Sequence, residues 1–99
     1  MDIEAVSSYS NATALEWASY KGHVLVVEAL LDKGANINHR DKEKQTPLHY
    51  AVGNNKLPTV KILIERGANK NLKSNKNQTP LELAREKRRK SIVNYLSSV

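Results

Sequence analysis

The chain repeats itself at a step of 33 residues. Thr13-Ala14-Leu15-Glu16-Trp17-Ala18 returns as Thr46-Pro47-Leu48-His49-Tyr50-Ala51, and again as Thr79-Pro80-Leu81-Glu82-Leu83-Ala84. A second block keeps the step: Leu30-Leu31-Asp32-Lys33-Gly34-Ala35-Asn36 matches Leu63-Ile64-Glu65-Arg66-Gly67-Ala68-Asn69. A period of this length signals a stacked array, in which each unit buries its apolar face only against its neighbours. Such arrays present extended surfaces to other molecules, so the repeat points to binding ahead of catalysis.

One unit can be read from local physics. Thr46 is a good N-cap, and Pro47 stands at the first helical position, where its missing N–H costs nothing. Leu48 and Ala51 then share a face. Asn54-Asn55 ends this short helix, as Gly22 does in the first unit, because both residue types tolerate the left-handed backbone of a helix stop. A second helix follows, with Pro58 near its start and Val60, Leu63 and Ile64 facing inward. Its counterpart carries Val24, Val27, Leu30 and Leu31. Gly34 and Gly67 stop these second helices. Residues 36–45 and 69–78 are polar and read as extended turns or hairpins. Thr13 with Glu16, and Thr79 with Glu82, have the spacing of capping boxes, a structural role.

Composition narrows the class. There is no Cys, which removes disulfides, thiol catalysis and cysteine-ligated zinc. There is no Phe, so the core must be aliphatic. No apolar run approaches the roughly 20 residues of a membrane span, and the N-terminus lacks a signal-peptide layout. These features point to a cytoplasmic or nuclear protein with no membrane association. The net charge of +6 is uneven: residues 1–50 carry 5 Lys/Arg against 7 Asp/Glu, residues 51–99 carry 11 against 3. A basic half favours acidic partners. His23, His39 and His49 lack metal-site spacing, and there is no nucleophile–base arrangement or Gly-rich phosphate loop. The expectation is no catalytic residue, no metal and no cofactor.

These residues resemble the ankyrin repeat family. The T-P-L-H-x-A signature is complete at Thr46–Ala51 and altered in the other two copies. Gly22-His23, Val26-Val27, Leu30-Leu31 and Gly34-Ala35 extend the match over about residues 11–99. The resemblance implies an all-α repeat fold: an ankyrin-type solenoid of helix–turn–helix units joined by β-hairpin loops. It implies one domain over 1–99, with repeats about 11–43, 44–76 and 77–99, the last a C-terminal cap. The family usually has Gly two residues before the motif Thr. Here Asn11, Lys44 and Asn77 stand there, and Lys should cost about 1 kcal/mol in that backbone. Residues 2–6 read as the worn hairpin of an upstream repeat, so the chain is either a piece of a longer array or a small protein with a degenerate N-terminal cap.

Family members mostly bind proteins through the concave groove lined by the first helices and through the projecting hairpin tips. By that resemblance Trp17, Tyr50 and Leu83 face the groove as an apolar ladder, extended by Tyr20. Lys21, Asn54 and Lys87 line it beside them. Lys73 and Lys76, at the tip of the second finger, would steer an acidic protein partner. The competing reading makes the tips solvated turns and folds Trp17 over the N-terminal edge. The densest basic run is Arg85-Glu86-Lys87-Arg88-Arg89-Lys90. It is read either as a solvated capping turn or as a patch (Arg85, Lys87, Arg88, Arg89, Lys90) for an import receptor, phosphorylated surface or nucleic acid. Nucleic acid is the weaker choice, because no aromatics interleave for base stacking. The leading expectation is a monomeric, non-enzymatic protein-interaction module. The alternatives are a basic adaptor acting through residues 85–90, or a regulatory fragment of a larger multidomain protein.

Overall fold

A computed structural model describes residues 12–99; Asn11 and the 2–6 segment lie outside the described residues. Six short helices run in chain order: α1 Ala14–Lys21, α2 Val24–Asp32, α3 Pro47–Gly53, α4 Leu57–Glu65, α5 Pro80–Glu86 and α6 Lys90–Ser98. They form three antiparallel pairs at the 33-residue step. The first helices α1, α3 and α5 stack in one layer, and the second helices α2, α4 and α6 in another. The result is the expected all-helical solenoid. The expected hairpins are turns rather than β-ribbons: no strand occurs among the described residues.

Each first helix begins the same way. Thr13, Thr46 and Thr79 are extended N-caps whose hydroxyls accept the N–H of the residue three positions on, and that residue's side chain reaches back to the cap N–H. Capping boxes therefore form in all three units, including the central one, where His49 takes the part that Glu plays in the other two. Each first helix also ends the same way. Asn55 N–H donates to the Val52 carbonyl and Lys56 N–H to that of Ala51. Arg88 and Arg89 repeat the pair on Arg85 and Ala84. These are Schellman closures, which need a left-handed residue. Gly22 (φ 74°), Asn55 (φ 58°) and Arg88 (φ 58°) supply it at the 33-residue step. Gly34 and Gly67 close α2 and α4 in the same manner.

The fingers also close on a left-handed residue. Lys44 (φ 60°) and Asn77 (φ 61°) occupy it, with Lys44 N–H donating to Asp41 and Asn77 N–H to Ser74. Neighbouring fingers are tied to each other. Asn75 N–H donates to the Glu43 carbonyl at 2.9 Å, the Arg40 guanidinium donates to the Lys73 carbonyl, and Asn38 Oδ1 accepts the Asn69 N–H at 2.8 Å. The core is a single aliphatic sheet of side chains between the helix layers. Leu15, Val27, Leu48, Val52, Val60, Leu63 and Ile92 are all buried in it.

Two stability outcomes follow. Leu63 is fully buried at the centre of the middle pair, so Leu63→Ala should cost about 2–5 kcal/mol by urea denaturation; a loss under about 0.5 kcal/mol would show that the site collapses freely. Arg88→Gly, at a left-handed position with an exposed side chain, should raise stability by about 1 kcal/mol. An unchanged or lower midpoint would mean that the Arg88 side chain contributes as much as its backbone costs.

Candidate functional site

A depression of about 310 Å³ lies where the first helices of adjacent units meet the fingers. Its apolar part is Tyr20, Tyr50 and Leu83, and its cationic part is Lys76 and Lys87. Tyr20 stands edge-on to Tyr50, ring centroids 6.3 Å apart at 84°, a favourable quadrupolar arrangement. Lys21 Nζ lies 5.8 Å from the Tyr20 ring centre. The floor is bare at Gly53, where the equivalent positions of the other units carry Tyr20 and Glu86. Glu86 on the rim accepts a hydrogen bond from Gln78 Nε2 at 2.7 Å.

Tyr50 is fixed by its hydroxyl, which donates to Asp41 Oδ2. Asp41 is buried, and its Oδ1 accepts the N–H groups of Glu43 and Gln45, each at 2.9 Å. One carboxylate thus folds the first finger and anchors the groove tyrosine to it. Burial, together with the hydrogen bond and charge of Asp41, pushes the Tyr50 phenol well above its ordinary range, so the ring is neutral throughout the physiological range. Tyr50 therefore joins groove to scaffold rather than standing free.

The other residues singled out in the sequence divide. Trp17 is 55% exposed but lies outside the depression, its ring 5.6 Å from that of His23. Asn54 is a brace between units, donating from Nδ2 to the Tyr20 carbonyl at 2.6 Å. Lys73 is exposed and does not line the depression. The basic run is not one patch, because the Schellman turn splays it. Lys87 points into the groove depression. Arg89 turns inward and donates to the Gly53 carbonyl at 2.8 Å. Arg85, Arg88 and Lys90 gather on the other side, around Val93 and Asn94. Sequence reasoning missed Gly53, Gln45 and Gln78 as lining residues. The 33-residue alignment already shows Gly53 as the bare position between Tyr20 and Glu86.

The fourth motif position carries the main electrostatics. Glu16 is buried; its Oε1 accepts the Thr13 N–H at 3.0 Å and lies 2.6 Å from His39 Nδ1. Burial raises the Glu16 carboxyl above its ordinary range, while Thr13 and His39 pull the other way. His49 is also buried. Its Nδ1 accepts from the Thr46 N–H at 3.2 Å and hydroxyl at 2.8 Å, and its Nε2–H donates to the Gln78 carbonyl at 2.8 Å. The neutral imidazole satisfies all three. Among the described residues no group of three or more His, Cys, Asp or Glu could hold a metal ion, and no helix is long and apolar enough to cross a membrane.

The stacked pairs, Thr-capped first helices and tied fingers define a helical repeat scaffold. The Ankyrin repeats profile matches residues 15–98 in three copies, and the chain belongs to the ankyrin repeat family. It is similar to ankyrin repeat domain-containing protein 17 of Homo sapiens, 45% identical over 47 residues, which is 48% of this chain and 2% of that protein. It is similar to palmitoyltransferase AKR1 of Candida albicans, 45% identical over 42 residues, 42% of this chain and 5% of that protein. An ankyrin repeat protein of Fowlpox virus is 43% identical over 47 residues, 48% of this chain and 33% of that protein. The chain thus spans a third or less of the length of these relatives. Ankyrin repeats are general protein–protein interaction modules, and the family is generally non-enzymatic.

Burial depresses the His49 pKa below its usual 6.5. The unfolded imidazole gains a proton near that value and the folded one resists it, so this contribution is complete above about pH 6.5 and is lost as pH falls. The raised Glu16 carboxyl acts in the opposite sense, which makes His49→Gln the reference. The wild-type stability advantage over His49→Gln should shrink between about pH 7.5 and 5.5. A constant or growing advantage on acidification would mean that His49 is protonated in the folded state.

Proposed function

We propose that this chain is a non-enzymatic protein-interaction module that holds a partner with an acidic surface across its concave groove and second finger. One observation carries the reading: Tyr20, Tyr50 and Leu83 share a solvent-open depression with Lys76 and Lys87. Aromatic side chains supply large contact area at low entropic cost and are favoured at hot spots. The lysines add steering and register. A second reading has its own support: Arg85, Arg88 and Lys90 surround a separate depression that suits a phosphate-bearing surface. Either surface would serve equally well within a longer protein.

Salt and one substitution separate the two. Tyr20 is 45% exposed, so Tyr20→Ala should leave thermal stability near wild type while weakening a captured partner about tenfold or more in titration calorimetry. Capture that ignores Tyr20→Ala, yet falls by about 10³-fold between roughly 50 and 200 mM salt, would move the site to Arg85, Arg88 and Lys90.

A further inference from the structure

Gly53 is a glycine that the backbone does not require. The left-handed glycines are Gly22, Gly34 and Gly67, and Gly53 is not among them. Crowding does not require it either, because a Cβ there would come no nearer than 3.8 Å to Leu83 Cδ2, an ordinary contact. Glycine at such a position enlarges the unfolded ensemble without relieving strain. What it does provide is space. It leaves a notch between Tyr50 and Leu83 where the flanking units carry Tyr20 and Glu86. At about 310 Å³ the depression is at the lower limit of small-molecule sites, which suits one side chain projecting from a larger body. Its charge is also unbalanced. The ion pairs formed among the described residues are Glu16–His39 and Asp32–Arg66, so the Lys76 and Lys87 amino groups have no acidic partner. The rim carboxylate of Glu86, held by Gln78, offsets one of these two charges and leaves the lining net positive, and the Tyr50 hydroxyl is engaged by Asp41.

We infer that the notch over Gly53 receives one large apolar side chain of a partner protein whose adjacent residues are acidic, their carboxylates lying against Lys76 and Lys87. This rests on the groove reading proposed above and names what the groove selects. The apolar side chain displaces water from Tyr50 and Leu83, and the flanking carboxylates set its register. The test is selection of a randomised dodecapeptide display library on the folded chain, followed by fluorescence anisotropy of the best peptide. Enriched sequences should pair Leu, Phe, Tyr or Trp with neighbouring Asp or Glu. Gly53→Leu should weaken the peptide at least about tenfold by filling the notch. The exposed pair Lys76→Glu/Lys87→Glu should weaken it comparably and, on reselection, replace the acidic residues by basic ones. If Gly53→Leu lowers the melting temperature, the charge-reversed pair decides alone. Peptides that lack acidic residues, or that bind well-folded Gly53→Leu as tightly as wild type, overturn this inference; the groove reading survives if Tyr20→Ala still weakens them. No enrichment, or peptides indifferent to Tyr20→Ala, overturns the groove reading itself.

Discussion

Val26 is 45% exposed, whereas the residues one and two repeats further on, Thr59 and Ile92, are 1% and 0% exposed. Val27 and Val60 are buried while Val93 is only half-buried. Position 26 is covered by the unit before it and position 27 by the unit after it. Among the described residues the middle unit has a neighbour on each side, and there Thr59, Val60 and Leu63 are all sealed. Stability is therefore a sum that includes the interfaces between units as well as what each unit supplies alone. Every other feature depends on that stacking. The fingers can tie to each other only if the helices beneath keep register, and the groove exists only where one first helix is held beside the next. Because the core uses the facing sides of the helices, the outer face of the first helices and the fingers are free to vary in chemistry.

The fourth motif position shows how one slot is solved three ways. In the middle unit His49 caps its own helix with one ring nitrogen and grips the next finger with the other, so it serves both local and inter-unit order. In the first unit Glu16 caps through Oε1, and the same oxygen is met by His39 from the finger. The carboxylate gains a partner but remains buried, which is why burial outweighs the pairing in its proton affinity. In the last unit Glu82 caps Thr79 in the open. There the hydrogen bonds from Thr79 lower its proton affinity. The same cap geometry spans buried and exposed settings because the backbone, not the surroundings, dictates it.

The sequence made the helix pairs, their caps and the central core legible because those follow from short-range rules repeated at a fixed step. Thr46-Pro47, Gly34 and Gly67, and the pairing of Leu48 with Ala51 each act within four residues. The site was half legible. Tyr20, Tyr50, Leu83, Lys76 and Lys87 do converge, but Trp17 stands apart and Asn54 is consumed as a brace. The dispersal of the basic run was not readable from composition. Six consecutive residues cross a left-handed turn, so neighbours in sequence point to opposite sides of the stack, and Arg89 is drawn inward by a carbonyl 36 positions away. Likewise nothing local marks Tyr50 as tethered, because its partner Asp41 lies in a finger whose fold depends on Asp41 itself.

The exceptions to local preference are not scattered. Where the backbone turns left-handed the chain offers Lys44, Asn55, Asn77 and Arg88, and the asparagines tolerate this readily. The two costly choices, Lys44 and Arg88, put cations on a finger tip and beside Arg85 and Lys90. Conversely, the glycine that neither φ nor packing demands, Gly53, lines the depression. None of the three has its side-chain position in the core. Sequences break local rules mainly where function requires it. On the groove reading proposed above, cations at strained turns and a bare position between Tyr50 and Leu83 answer to what the surface meets rather than to how the scaffold holds together.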